Sequence, residues 1–263
     1  NAVEAVGVLG VETVRSLLLC LSVYNHFDKS KLRAFSIDAL WRHSMETAQA
    51  ARKLTLLETS DTRLAEEAFT AGLLHDVGKL MLACNESERY EKVFNEAKQS
   101  AGLISEIEDR ELGASHGQVG AYLLGLWGLP VTIIEATALH NAPSDCFSEG
   151  FSPLAAVHIA NAFCHEAEKT PSPGSQTALD IEFLQRNGLF DRINAWREQV
   201  FGLQPKPEFA PQPAAQPATQ SASENGAAGN AVQLQAAMAS ADNRSEEYTS
   251  ELQSPCNLVC RLL

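Results

Sequence analysis

Ala71-Gly72-Leu73-Leu74-His75-Asp76-Val77-Gly78-Lys79-Leu80 sets an imidazole beside a carboxylate inside an apolar helical stretch, with a lysine three residues past the aspartate. A buried charge without a partner is very costly, so an adjacent His and Asp on an apolar helix demand one. The usual partner of such a dyad is a divalent metal. What the chain does then turns on whether the remaining ligands are present.

Working outward from the dyad, apolar residues recur at spacings of three and four almost throughout, up to about Leu203. Asp61 caps the helix that carries Leu64, Ala68, Ala71, Leu74 and then the dyad itself. Before it, Val14, Leu17, Leu18 and Leu21 form one stripe, and Ser36 caps a second helix running to about Leu57. After it, helices are predicted over Glu88 to Ser100, Ile104 to Leu112 and Ser115 to Trp127. Gly128-Leu129-Pro130 stops the last of these, and further helices cover Val131 to His140, Pro153 to Lys169 and Asp180 to Phe201. No alternating β-branched run sits between tight-turn signals, so the body is expected to be all-α.

The 263 residues suffice for one large or two small domains with a buried core. A net charge of −13 argues against nucleic acid or anionic lipid as the main partner. No apolar run approaches the roughly 20 residues of a membrane span. The start, Asn1-Ala2-Val3-Glu4, has no basic or apolar signal segment and is read as a cut end inside a domain. Cys20, Cys84, Cys146 and Cys164 are scattered singly, as in a reduced cytoplasmic protein. From Gln204 to Asn243 the chain turns to Pro, Ala, Gln and Ser, and 204–243 is expected to be a disordered linker. The last 20 residues, 244–263, resemble one reading frame of a sequencing-library DNA adapter and are read as an artefact. Their Cys256 and Cys260 do not complete a zinc shell by themselves.

Seven histidines carry whatever chemistry there is: His26, His43, His75, His116, His140, His158 and His165. His26 and His165 are read as surface residues near helix ends. His43 follows Trp41-Arg42 on an apolar face, where it can join His75 and Asp76 from the neighbouring helix. Two imidazoles and a carboxylate suit iron, manganese or zinc. Lys79 lies one turn beyond the dyad and can meet a phosphate there; its other reading is a solvated lysine. Gly72 and Gly78 would admit a close backbone or ligand, and Gly78 would alternatively mark a helix end.

Trp41-Arg42-His43-Ser44, Ala71 to Lys79, Leu112-Gly113-Ala114-Ser115-His116, Trp127-Gly128-Leu129-Pro130, Leu139-His140-Asn141 and Val157-His158-Ile159-Ala160-Asn161 follow one another in order. Together they resemble the HDOD domain, the HD-related output domain of bacterial signalling proteins in the HD superfamily, over residues 1 to about 200. The resemblance implies a multi-helix bundle whose front subdomain is incomplete here. For the catalytic members of the superfamily it implies a metal site, with Fe, Mn, Mg or Zn as the candidate ions. His43, His75 and Asp76 match its first three ligand positions, and Asn161 stands where a late aspartate is expected. His116 and His140 match second-metal positions of the related cyclic-dinucleotide phosphodiesterases, but Asn141 replaces the second member of their doubled histidine.

Two functions follow from the resemblance. One is a non-catalytic signalling output domain in the cytoplasm, acting through protein partners and possessing, in the full protein, an N-terminal receiver. The other is a residual metal-dependent phosphohydrolase on a nucleotide or cyclic dinucleotide, with Lys79 on the phosphate.

Overall fold

Ser36 accepts a hydrogen bond from the amide of Ala39 (3.3 Å) and starts helix α1, Ile37–Thr59, which ends where Ser60 turns left-handed at φ 55°. The structure is a computed structural model, and it describes residues 18, 36–99, 102–147, 149–168 and 178–209. Of the expected first stripe only Leu18 is described; it is helical and exposed, and Val14, Leu17, Leu21 and His26 lie outside the described residues.

The Asp61 carboxylate accepts from the amides of Arg63 and Leu64 (2.9 and 3.1 Å) and opens α2, Thr62–Leu74. One continuous helix through the dyad was expected, and here the structure differs. Helix α2 stops at Leu74, His75 is its C-cap, and Asp76 (φ −101°, ψ 8°) precedes α3, Val77–Asn85. In an unbroken helix consecutive side chains point about 100° apart. The break lets His75 and Asp76 aim at one place.

Ser87–Gln99 (α4) and Ile104–Leu112 (α5) pair with each other, and Gly113 ends α5 at φ +86°. Helix α6, His116–Leu126, begins in a capping box: Ser115 Oγ accepts from the Gln118 amide while the Gln118 side chain accepts from the Ser115 amide. Gly128 (φ +72°) and Pro130 separate it from α7, Val131–Leu139. Helix α8, Pro153–Ala167, is buried from Pro153 to Cys164 without a gap. It packs on α1, α2 and α7, so a stretch apolar all round becomes the central helix. The long helix expected from Asp180 to Phe201 is instead α9, Ile181–Arg186, and α10, Ile193–Phe201, split by Gly188 at φ +67° and a 3₁₀ turn over Phe190–Arg192. Residues 204–209, assigned above to the linker, pack onto this end. Arg197 donates to the Gln204 carbonyl and to Glu166, and Lys206 pairs with Glu166 at 3.1 Å.

The described elements are all helical, as expected, and none is long and apolar enough to cross a membrane. Two glycines bring the site-bearing helices into contact. A Cβ on Gly72 would lie 2.8 Å from the Ala48 Cα, where α2 crosses α1. One on Gly78 would lie 1.9 Å from the His116 carbonyl oxygen, where α3 crosses the start of α6. Both glycines therefore serve backbone approach, and Gly78 does so from the first turn of α3. Gly78→Ala must push α3 off α6, at an expected cost of about 3 kcal/mol or more in urea unfolding. Gly128→Ala, where a Cβ meets nothing within 4 Å, strains only its own positive φ and should cost about 1 kcal/mol. Equal losses in the two variants would contradict this packing.

Candidate metal centre

Asp76 is buried at the meeting point of α3, α6 and α7, with three imidazoles and one ammonium around it. Its Oδ2 accepts from Lys79 Nζ at 2.7 Å and lies 3.5 Å from His75 Nε2. Its Oδ1 lies 3.3 Å from His116 Nε2 and 3.8 Å from His140 Nε2, and has no hydrogen-bond partner of its own. Lys79 is therefore ion-paired with the aspartate, which is neither of the two roles expected for it.

Local structure fixes which nitrogen each imidazole offers. His75 and His140 are both helix C-caps, and each donates Nδ1–H to the carbonyl three residues back, Gly72 at 2.7 Å and Thr137 at 2.9 Å. The lone pair on Nε2 is then left facing Asp76, and that of His75 is buried without a partner. His116, the first residue of α6, donates both its amide (2.7 Å) and its Nδ1–H (2.6 Å) to Glu108. Glu108 also accepts from the Tyr90 hydroxyl at 2.9 Å. A carboxylate behind an imidazole in this way sets its tautomer and raises its basicity, as in many metal sites. Ligand atoms of Asp76, His116 and His140 lie within 4.8 Å of one another, and so do those of His43, His75 and Asp76. Asp76 thus belongs to two adjacent three-ligand groups.

The asparagines modify both groups. His43 Nε2 lies 2.8 Å from Asn161 Oδ1, so α8 does bring Asn161 to His43. The contact places a neutral amide where a carboxylate would contribute charge. Asn141 Nδ2 donates toward His140 Nε2 (2.8 Å) and His116 Nε2 (3.2 Å), the same lone pairs that face Asp76. His75, Asp76, His116 and His140, with buried donor atoms and set tautomers, fit a divalent ion. The His43–Asn161 side fits one less well, because it adds no charge.

Electrostatics follow from burial. Burial lowers the His75 pKa to about 3, against the pull of Asp76. His140 is held well below its ordinary range by burial and by the neighbouring His75 and His116. Burial would favour a neutral Asp76, but His75, Lys79 and His116 outweigh it and keep the carboxyl well below the usual range. His116 runs the other way: burial opposes its proton, yet Glu108 and Asp76 raise its pKa. His158 is structural, its Nδ1–H donating to the His140 carbonyl (2.8 Å) and its Nε2 accepting from the Asp180 amide (2.9 Å).

Two residues escaped sequence reading and one was misplaced. Glu108 lies on the apolar stripe of Ile104, Ile107 and Leu112, a pattern that marks a buried carboxylate in hindsight. Glu168 at the end of α8 was also missed. His165, read as a surface residue, is largely buried and stacks on His43 with ring centroids 4.1 Å apart. It is in the site region because α8 crosses α1.

Fold and site define a helical domain built around a buried His–Asp pair. The chain belongs to the HDOD domain family, whose profile matches residues 1–143. Residues Asn161, His165 and Glu168 lie past that span. Two ribonucleases Y from strains of Thermus thermophilus are each 28% identical over 152 residues, 58% of this chain and 20% of theirs. The chain therefore covers about a fifth of the length of these relatives. Among solved structures, an HDOD domain protein of unknown function from Geobacter sulfurreducens is 21% identical with a TM-score of 0.58, covering 76% of this chain and 65% of that one. A protein assigned as a phosphohydrolase from Shewanella amazonensis SB2B gives 23% and 0.58, covering 75% and 71%. One assigned to signal transduction from Marinobacter aquaeolei VT8 gives 22% and 0.60, covering 74% and 42%. At these identities the likeness is one of fold.

The histidine pKa values set a pH dependence. Below about 6.5 the unfolded chain takes protons that His75 refuses until about 3, so stability is lost as pH falls through that window. His140, His158 and His165 act in the same direction. His116 opposes them, since its contribution is present below its unfolded value and lost as pH rises through its raised folded value. Four histidines against one predict a melting temperature that falls between about pH 7 and pH 5. A melting temperature that is flat or rises over that range would contradict the buried neutral imidazoles.

Proposed function

We propose that this chain is a non-catalytic signal-transduction output domain that acts through protein contacts. The observation that supports it best is Asn161: its amide oxygen meets His43 Nε2 at 2.8 Å, where a metal-dependent phosphohydrolase would need a carboxylate. Replacing an anion with a neutral oxygen facing a dication weakens the hold on the ion that must activate water. Asn141 compounds this by donating its amide hydrogens to the His116 and His140 lone pairs. Family membership and a structural neighbour assigned to signal transduction agree with the reading. Protein partners, an attached receiver and a cytoplasmic setting belong to the same proposal.

A second reading, residual phosphohydrolase activity on a nucleotide or cyclic dinucleotide, draws on the intact group around Asp76. There Asp76, His116 and His140 would hold a divalent ion, whose chemistry would be Lewis acidity toward a phosphate and an acidified bound water. His75 would add a neutral nitrogen, and Lys79, released from Asp76, would orient the phosphate. A pocket of about 80 Å³ borders His43, Asp76, Lys79 and His165 and could admit a phosphate group, whereas the cavity of about 10 Å³ beside His116, His140 and Asn141 has room for about one water.

With manganese or ferrous iron, the full chain is expected to leave bis(p-nitrophenyl) phosphate and cyclic dinucleotides intact. Turnover that disappears in His75→Ala would overturn the signalling reading. Asn161→Asp restores the missing charge and should tighten manganese binding by about tenfold, about 1.4 kcal/mol. Calorimetry showing no change would mean that Asn161 does not face the ion.

A further inference from the structure

Glu168 Oε1 lies 3.6 Å from His43 Nδ1 and 3.4 Å from His165 Nδ1, on the side of His43 turned away from Asn161. Both distances are too long for ordinary N–H···O hydrogen bonds. Neither imidazole nitrogen has a hydrogen-bond partner, although His43 is 7% exposed and both nitrogens are buried. An orphaned buried nitrogen is uncommon and points to something missing beside it. The separations suit two donors bound to one ion: with bonds of about 2.0–2.1 Å, tetrahedral ligands stand about 3.3 Å apart.

The arrangement is held from both sides. His165 and Glu168 are one turn apart at the end of α8, where the Glu168 amide bonds to the His165 carbonyl (3.3 Å). The His43 and His165 rings stack with centroids 4.1 Å apart and planes 16° apart, so the His165 ring must turn about its Cβ–Cγ bond for both in-plane Nδ1 lone pairs to meet one ion beside Glu168. Asn161 decides which His43 nitrogen is free. A carbonyl oxygen only accepts, so at 2.8 Å from Asn161 Oδ1 the Nε2 of His43 carries the proton. In the neutral ring the lone pair is then on Nδ1, facing outward.

We propose that His43 Nδ1, His165 Nδ1 and the Glu168 carboxylate form a binding site for a zinc-class dication, separate from the group around Asp76. Two imidazoles and one carboxylate suit zinc or cobalt, and leave a fourth position for water. The adjoining pocket, lined by Ser36, Leu40 and Phe94 among others, has about 80 Å³ of space for that ligand. The residue that weakens the inner site is thus the one that turns His43 toward the outer one.

The test is a titration of the full chain carrying Cys256→Ser and Cys260→Ser, which keeps the tail thiols out of the reading. Zinc is followed by calorimetry and cobalt by the intensity of its visible d–d bands, which is high for four-coordinate sites. His165→Ala and Glu168→Gln should each weaken zinc by at least about tenfold and abolish the intense cobalt spectrum. Asp76→Asn and His75→Ala should keep that zinc equivalent and that spectrum. Zinc binding that is absent from the parent, is lost in Asp76→Asn, or is indifferent to His165 and Glu168 would overturn the proposal. The readout is independent of turnover, so it stands or falls apart from the signalling reading.

Discussion

A carboxylate that cannot reach water constrains everything around it. Asp76 is 1% exposed, with the His75 and His116 rings beside it and the Lys79 ammonium on its Oδ2 to balance its charge. Each of these partners must be delivered by a different part of the fold. The break between α2 and α3 turns His75 and Asp76 to one point, the first turn of α3 supplies Lys79, and the start of α6 supplies His116. Gly78 permits α3 and α6 to approach closely enough for this to happen. The packing and the charge arrangement therefore depend on each other.

Around that carboxylate the imidazoles are prepared in a consistent way. Two are held by the carbonyls of their own helices and one by a buried glutamate, and all three present Nε2 inward. Set tautomers of this kind could hold a metal ion. The two asparagines act against it, one by withholding a charge and the other by occupying lone pairs. A site with intact orientation and reduced charge fits the proposed role in protein contacts, with the cluster contributing to the cohesion of the fold. His43 stands at the edge of this cluster and faces a second group, His165 and Glu168, on its other side.

Much of the fold and part of the site were legible in the residues themselves. Helical spacing and the caps at Ser36, Asp61, Ser115 and Ser152 are local signals, so α1, α2, α6 and α8 lie close to where they were expected. The continuous helix through the dyad and the single helix over 180–201 were wrong for the same reason. Periodicity continues across a break when both halves bury the same face, and only Asn187-Gly188 signalled the second break. The convergence of Asn161 on His43 was legible as a motif, because both are spaced in order with the dyad.

The sequence by itself determined an all-helical chain, the identity of the inner histidines and Asp76, and the neutral residues at 141 and 161. Those are properties of single positions and of spacing along one helix. Only the tertiary structure decided that Lys79 lies on Asp76, that Glu108 backs His116, and that His165 and Glu168 meet the far side of His43. These contacts join α5 to α6 and α8 to α1, or depend on how a helix is interrupted. Helix crossing angles and breaks are set by packing across the whole core, which no local pattern encodes.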